Sequence, residues 1–382
     1  MCSITLNYIT RSCGKKIKME ANENGGTSRS SQIVAMMSVP PLKVTEPRQV
    51  RKVLVSEDHV SAIQGCYQIV MYYEMMREEE HGRCLAGWIV ESLAMVLLDH
   101  PLLAGRLHTR DHSSFEIVSN DSGVRLLEAC YPTTLSHFLE LNKKEHDLEA
   151  DLVFWNEIDA QYPQFSPLSY VQVTNFECGG YSIGISCSLL LADAFLFENF
   201  LAKWAEIHTK MSHQREKIET PIFYHARLKN PKSLPSDIIP RTQRQNGVES
   251  MVFKISEVNL DKELWRELAM VCVEEAKQKQ GTNLGWEFCL VVKESSEVMK
   301  VESLRMNGHD GLRVKHGLSF KVSGSTWKEF GVYEVAFNVG NKPVHVSCWI
   351  GSVSNGFAMA VPLPYLNQNS CAVVLVSPSL SS

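Results

Sequence analysis

Short runs rich in β-branched and aromatic residues recur along this chain and predict a series of β-strands. In the first half, these runs cover residues 53–55, 68–73, 115–118, 124–127, 170–176 and 181–188. In the second half, they cover residues 250–255, 287–292, 332–337, 344–350, 356–361 and 372–376. The turn sequence Asn120-Asp121-Ser122-Gly123 predicts a hairpin between the two strands that flank it.

Three longer segments have apolar residues at helical spacing, and they cover residues 85–98, 194–209 and 260–279. In the first of them, Leu85, Ile89, Leu93 and Val96 fall on one face of a helix. No internal repeat is present in the sequence. Strands and helices that are interspersed in this way predict a mixed α/β fold, with helices packed on sheets in two lobes.

Changes in polarity divide the chain into four parts. Residues 1–36 contain a polar stretch rich in Gly, Ser and Asn, which predicts a disordered N-terminal segment. Residues 37–211 are predicted to form an N-terminal lobe. Residues 212–247 are polar and contain four prolines, so we expect a crossover linker there. Residues 248–382 are predicted to form a C-terminal lobe.

The composition narrows the functional classes. The 382 residues are 44% apolar and 21% charged, which is ordinary for a soluble globular protein, and the net charge of −5 argues against a nucleic-acid partner. No apolar run reaches the roughly 18–20 residues of a transmembrane segment. The eleven cysteines are scattered and form no CxxC pair, so reduced, packed thiols of a cytoplasmic protein are expected. No histidine pair has metal-ligand spacing, and no metal site is predicted.

One stretch carries most of the functional information. Residues 182–195 read Ser-Ile-Gly-Ile-Ser-Cys-Ser-Leu-Leu-Leu-Ala-Asp-Ala-Phe, and residues 204–207 read Trp-Ala-Glu-Ile. This pattern resembles the signature of the plant BAHD acyltransferases, in which a strand ends in His-x-x-x-Asp and a helix follows.

Three further stretches resemble the same family and occur in its order. Residues 98–107 are similar to its Pro-x-x-Ala-Gly-Arg-Leu stretch, and residues 333–343 are similar to its Asp-Phe-Gly-Trp-Gly stretch. Residues 165–168 and 171–180 are similar to the paired strands before the signature. Together the four cover roughly residues 40–380 of the chain. The resemblance implies a two-lobed α/β fold, similar to chloramphenicol acetyltransferase, with a channel between the lobes.

The resemblance also implies where the chemistry of the family would lie. Its histidine is a general base that takes a proton from an acceptor hydroxyl or amine as that group attacks an acyl-CoA thioester. Its aspartate is structural and braces the loop by ion pairing. In this chain the aspartate is Asp193, but the base position is Leu189, which cannot accept a proton. A histidine placed at position 189 is expected to be tolerated at a channel wall.

Other parts of the pattern depart from the family as well. In the second motif the positions of the aspartate, the middle glycine and the tryptophan hold Ala336, Asn338 and Val339, whereas Phe337 and Gly340 remain. The C-terminal lobe is shorter than the family pattern. As candidate substrate-binding residues we take a set near the two motifs and a stand-in base on the strand that follows: Ser186, Ser188, Phe337, Asn338, Gly340 and His345.

Two functions remain open from the sequence. The first is a non-catalytic accessory protein, because the eceriferum-type wax proteins of this family act in very-long-chain acyl elongation beside a membrane-bound condensing enzyme. The second is an acyl-CoA-dependent O- or N-acyltransferase that uses an unrecognised base. We expect a monomer in the cytoplasm or at the cytosolic face of the endoplasmic reticulum, with no cofactor and with acyl-CoA or a long acyl chain as a ligand.

Overall fold

A computed structural model describes residues 30–56, 63–75, 82–111, 114–145, 148–196, 199–215, 250–256, 264–280, 287–305, 321–325, 331–351, 356–362 and 372–377. Within these ranges the fold is mixed α/β, as the sequence predicts, and it contains two β-sheets. Most of the predicted linker and all residues before Ser30 lie outside the described residues.

The first sheet has six strands. In spatial order they are β1 (Gln32–Val39), β6 (Val124–Tyr131), β7 (Ser169–Phe176), β8 (Tyr181–Ser188), β3 (Cys66–Tyr73) and β13 (His345–Gly351). All neighbouring pairs are antiparallel except β6 and β7. The central strands β3, β7 and β8 are buried along their whole length. Strand β3 is almost entirely apolar, whereas β7 and β8 alternate apolar residues with buried polar ones.

The second sheet has nine strands. In order they are β12 (Lys321–Ser325), β9 (Met251–Ser256), β15 (Ala372–Ser377), β14 (Gly356–Pro362), β10 (Glu287–Lys293), β11 (Val298–Arg305), β2 (Val50–Val55), β5 (Ser114–Val118) and β4 (Arg106–Thr109). The strands β2, β4 and β5 therefore join a sheet built mostly from the C-terminal part of the chain. Conversely, β13 comes from the C-terminal part of the chain and forms one edge of the first sheet.

The described residues also contain five α-helices: α1 (Gly82–Val96), α2 (Leu135–Asn142), α3 (Ala192–Leu196), α4 (Phe200–Arg215) and α5 (Leu264–Gln280). The apolar face of α1 packs into the main core, which receives side chains from both sheets. Helix α5 covers one face of the second sheet through Trp265, Leu268 and Cys272.

The predicted hairpin across residues 115–127 is wrong. Strand β5 pairs with β2 and β4, whereas β6 pairs with β1 and β7, so the turn between them connects the two sheets. The carboxylate of Asp121 accepts hydrogen bonds from the backbone N–H and the hydroxyl of Thr45, at 2.9 and 2.6 Å. This turn is therefore anchored to a distant segment instead of closing a local strand pair.

Three other predicted boundaries change. The chain enters β1 at Gln32, inside the segment 1–36 that was expected to be disordered, because Ile33 and Ala35 are buried and β1 pairs with β6. The single helix predicted over residues 194–209 is two helices, because α3 ends at Leu196 and α4 begins at Phe200, directly after Asn199 with its non-helical, positive φ of 54°. Helix α4 extends to Arg215, into the predicted linker.

The predicted strand over residues 332–337 is also wrong. Residues Val332–Glu334 form one turn of 3-10 helix after Gly331. The carbonyl oxygens of Val335 and Ala336 accept hydrogen bonds from the hydroxyls of Tyr73 and Thr209, at 2.8 and 3.1 Å. Side-chain donors therefore satisfy backbone groups that a neighbouring strand would satisfy in a sheet.

The backbone of Leu152 lies very close to Gly184 in the first sheet. We therefore expect Gly184→Ala to lower the free energy of unfolding by about 1–3 kcal/mol through overpacking. A Cβ atom at this position would lie 1.9 Å from the carbonyl oxygen of Leu152, a backbone atom that cannot turn away. Urea denaturation measures the change. The matched control is Gly324→Ala on β12, where the nearest atom is the flexible end of Lys279 at 3.0 Å, and an equal loss in both variants would contradict the close approach.

Candidate functional site

Leu189 directly follows the last residue of β8 and begins one turn of 3-10 helix, Leu189–Leu191, which leads into α3. The N–H of Leu189 donates to the carbonyl of Gly65 at 3.0 Å, and the hydroxyl of Ser188 accepts from the N–H of Leu190. The side chain of Leu189 is completely buried. The strand end, which would present a base in the family, presents an enclosed apolar side chain here.

The surroundings of Leu189 are apolar as well. Leu189, Leu190 and Leu191 belong to the main core, together with side chains of the first sheet, such as Ile185, and of the second sheet, such as Met359. A polar or charged group at position 189 would lose its hydration in this environment without gaining a designed partner.

Two titratable side chains of the same core lie near this strand end, on facing positions of β8 and β3. Burial raises the pKa of the Cys187 thiol to about 12. Burial, and then the neighbouring Cys348, raise the pKa of the Tyr67 hydroxyl well above its ordinary value. Both groups are therefore protonated near neutral pH, and neither can act there as a general base.

Asp193 lies in α3 and is held by two cations of the second sheet. Arg51 of β2 forms a two-pronged ion pair with its carboxylate, with Nη–Oδ distances of 2.7 and 3.0 Å. Lys293 of β10 contacts the same carboxylate at 2.5 Å. Arg51 also donates to the carbonyl oxygen of Leu190 at 3.0 Å. We call Arg51, Asp193 and Lys293 the ion triad; it joins the exit of β8 to the second sheet.

Arg51 and Lys293 are not predicted as site residues by any sequence motif. For Arg51 a signal was present, because it alternates with Val53 and Val55 on the buried side of β2. A charged residue at a buried position of an alternating strand indicates a buried partner. Lys293 gives no comparable signal, since it stands at the end of a continuous apolar run.

The candidate residues Ser186 and Ser188 point away from the main core. The alternate positions Ile183, Ile185 and Cys187 belong to that core, so the two serines lie on the opposite face of the sheet. Ser186 accepts a hydrogen bond from Gln68 at 3.1 Å. Ser188 caps the turn that contains Leu189. The hydroxyl of Ser186 therefore has a partner within the first sheet, and that of Ser188 has one in the turn that follows β8.

The second motif lies at the other end of the first sheet. Phe337 is fully buried and packs edge-on against Trp204 at 4.9 Å between ring centroids and against His208 at 5.5 Å. It also contacts Tyr73, which pairs with Tyr181 at the start of β8, whereas Leu189 follows the end of that strand.

The remaining second-motif candidates lie in the tight turn after Phe337. Asn338 is buried and accepts a hydrogen bond from the N–H of Asn341, and Gly340 has a positive φ of 76°. The structure therefore does not bring Phe337, Asn338 or Gly340 to Leu189.

His345, the stand-in base, is also distant from Leu189. It pairs with Tyr72 of β3, whereas Ser188, the neighbour of Leu189, pairs with Cys66. Six residues of an extended strand correspond to a separation of about 20 Å.

The contacts of His345 belong to a different cluster. Its Nε2 lies 3.2 Å from the hydroxyl of Ser347 and 4.0 Å from the carboxylate of Glu149. Glu149 is buried and accepts hydrogen bonds from Ser347 and Tyr72, at 2.6 and 2.7 Å. His345 therefore takes part in anchoring β13 to the segment around Glu149.

Within the described ranges, no group of three or more His, Cys, Asp or Glu side chains is arranged to hold a metal ion. Among the described helices, none combines the length and hydrophobicity that a bilayer span requires.

The fold and the signature strand define a class of protein. A family model described as the Transferase family matches residues 68–284, which is more than half of the chain. The chain belongs to this family, the BAHD acyltransferases that its motifs resemble, and the predicted family is confirmed.

Individual relatives are similar over shorter stretches. Protein ECERIFERUM 26 of Arabidopsis thaliana is 31% identical over 150 residues, which cover 38% of this chain and 33% of that protein. Protein ECERIFERUM 2 of the same plant is 29% identical over 118 residues, or 29% of this chain and 28% of that protein. The 3'-N-debenzoyl-2'-deoxytaxol N-benzoyltransferase of Taxus canadensis is 28% identical over 144 residues, or 38% of this chain and 31% of that enzyme. The matched part thus spans about a third of each relative's length.

The crystal structure of vinorine synthase is similar with a TM-score of 0.41 and 14% sequence identity, covering 91% of this chain and 94% of the other.

Proposed function

We propose that this chain is a non-catalytic accessory protein of very-long-chain acyl elongation, which acts with the membrane-bound condensing enzyme of a fatty-acid elongase at the cytosolic face of the endoplasmic reticulum. One observation carries the proposal: the base position of the family holds Leu189, whose side chain is fully buried in an apolar core. General-base catalysis contributes about 10²–10⁴-fold to a rate, and none of it can come from a leucine.

The contrast with Asp193 supports this proposal. Asp193 keeps its ion pairs with Arg51 and Lys293 at the end of β8, although the base position four residues earlier holds a leucine. An intact structural aspartate beside a lost base is the combination expected of a protein whose role requires the fold but not proton transfer. The partial matches to Protein ECERIFERUM 26 and Protein ECERIFERUM 2 support a role like that expected for the eceriferum-type proteins.

Co-expression with a condensing enzyme tests the accessory role. In a host that makes only shorter acyl chains, we expect the pair to give longer acyl products than the condensing enzyme alone, and we expect the two proteins to co-purify. Acyl-chain analysis by gas chromatography measures the change. A condensing enzyme with an inactivated catalytic residue is the control, because an accessory protein adds no length without it. Unchanged product length together with no co-purification would refute the accessory role.

The second function is an acyl-CoA-dependent O- or N-acyltransferase with an unrecognised base. The family itself favours it, and one relative is an N-benzoyltransferase. An assay of the purified chain with acyl-CoA donors and hydroxyl or amine acceptors distinguishes the two functions. Release of CoA at the uncatalysed rate supports the accessory role, whereas robust turnover would establish the enzyme.

A further inference from the structure

A cross-strand row of the first sheet places three polar side chains next to one another on the face away from the main core. Ser38 of β1 pairs with Arg125 of β6, and Arg125 pairs with Tyr170 of β7. Directly opposed residues of neighbouring strands share a face, and such strands lie about 4.8 Å apart. Ser38 is exposed, Arg125 is half-buried and Tyr170 is 3% exposed, so the row leads from the open edge of the sheet into its interior.

A second arginine reaches the same place from the second sheet. Arg106 of β4 is buried, and its guanidinium donates to three carbonyl oxygens, those of Gly105, Gly123 and Ser122, at 2.7, 3.0 and 3.2 Å. Two of these residues directly precede β6, the strand that contains Arg125. A guanidinium has five N–H donors, and these bonds use three of them. The other two have no partner among the described residues.

The positive charge of this pair of arginines is not balanced by a carboxylate. Within the described ranges, neither Arg106 nor Arg125 forms an ion pair. Asp121, in the turn before β6, is bound by Thr45 instead. Burial, and then the charge of Arg125, lowers the pKa of the Arg106 guanidinium to about 10, so this side chain stays charged at neutral pH. An anion bound here would compensate both charges.

Two neighbouring donors also lack an acceptor within the part of the chain that the structure describes. Burial raises the pKa of the Tyr170 hydroxyl to about 12, although Arg125 and Arg106 oppose the shift, so the hydroxyl is a donor at neutral pH. It forms no hydrogen bond with another described residue. The ring of Trp155 packs edge-on against Tyr170 at 5.6 Å, and its buried Nε1 has no partner there either. Unpaired buried donors are uncommon because each one costs free energy.

We propose that Arg106, Arg125 and Tyr170 form a binding site for a phosphate monoester, which enters past Ser38 at the sheet edge. A phosphate monoester carries nearly two negative charges at neutral pH and three strong acceptor oxygens, which match two guanidiniums and a phenolic hydroxyl. Soluble phosphate monoesters and the headgroup of phosphatidic acid both present this group. The inference goes beyond the proposed function and does not depend on it.

Isothermal titration of the full chain with phenyl phosphate, at fixed ionic strength, tests the site. We expect Arg125→Gln to weaken binding by about tenfold or more, because it removes a charge-assisted hydrogen bond to the ligand. Tyr170→Phe should weaken binding by a smaller factor, since only a neutral donor is lost. Arg125 forms no hydrogen bond that holds the described structure together, so its variant should keep the unfolding temperature of the original chain.

Arg266→Gln is the matched control, because it removes the same charge from an exposed arginine on α5, and it should leave the affinity unchanged. Flotation with phosphatidylcholine vesicles, with and without phosphatidic acid, separates the two sources of phosphate. Binding of phenyl phosphate indicates a soluble ligand, whereas binding of phosphatidic acid vesicles alone indicates the lipid, provided that Arg125→Gln abolishes it. Absence of binding in both experiments, or binding that Arg125→Gln weakens no more than Arg266→Gln does, would overturn the proposal.

Discussion

Asp193→Asn is expected to lower the free energy of unfolding by about 3–5 kcal/mol, the usual loss when one partner of a buried ion pair is removed. The side chain of Asp193 is fully buried and that of Arg51 is 6% exposed, so water cannot solvate the guanidinium that loses its partner. The substitution leaves the charges of Arg51 and Lys293 close together with no counter-charge between them. Urea denaturation followed by circular dichroism measures the loss.

Two further variants separate this effect from a general sensitivity to charge. Lys293→Met leaves Asp193 paired one-to-one with Arg51, so it should cost less than Asp193→Asn. Glu206→Gln breaks an exposed pair with Lys210 on α4 and should leave the unfolding midpoint unchanged. If Asp193→Asn unfolds at the same urea concentration as the original chain, the ion triad does not hold the sheets together.

Leu189→His is expected to destabilise the chain by about 2–4 kcal/mol and to leave acyl transfer at the uncatalysed rate. The substitution removes the stabilisation from burying the leucine side chain, and it buries a polar imidazole in an apolar core. The sequence alone suggested that a channel wall would accept this histidine. The complete burial of Leu189 reverses that expectation. Urea denaturation and an assay of CoA release measure the two effects.

The matched control is Leu98→His, which makes the same change at a position that is 41% exposed. It should cost little, because both side chains reach water there. A Leu189→His variant that is as stable as the Leu98→His variant and transfers acyl groups would show that an open site with an intact acyl-CoA wall lies beside residue 189.

The local sequence pattern predicts most individual strands and helices, but it does not predict which strands pair with each other. The sequences of β3, β10 and β14 predicted strands because buried strands are largely continuous apolar stretches, whereas β7 and β8 were predicted from alternating apolar residues. Strand β1 was missed because its apolar residues adjoin a polar segment. The false hairpin at Asn120-Asp121-Ser122-Gly123 shows the limit, since a turn sequence does not specify whether the next strand joins the same sheet.

The candidate site shows the same division. Leu189 and Asp193 could be placed because a strand followed by a short motif is a local pattern. Arg51 and Lys293 lie 142 and 100 residues away from Asp193 in sequence, and only the folded chain brings them together. His345 illustrates the opposite case, because a suitable residue type on a suitable strand lies at the wrong end of the sheet.

The exchange of strands between the sheets has a consequence for biosynthesis. The first sheet gains its last strand from β13, and the second sheet needs β2, β4 and β5 from the first part of the chain. As the polypeptide leaves the ribosome, the edge of β3 stays unpaired until residue 351 has been made. Neither sheet can therefore be completed early, and chaperones have a long interval in which to protect the exposed strands.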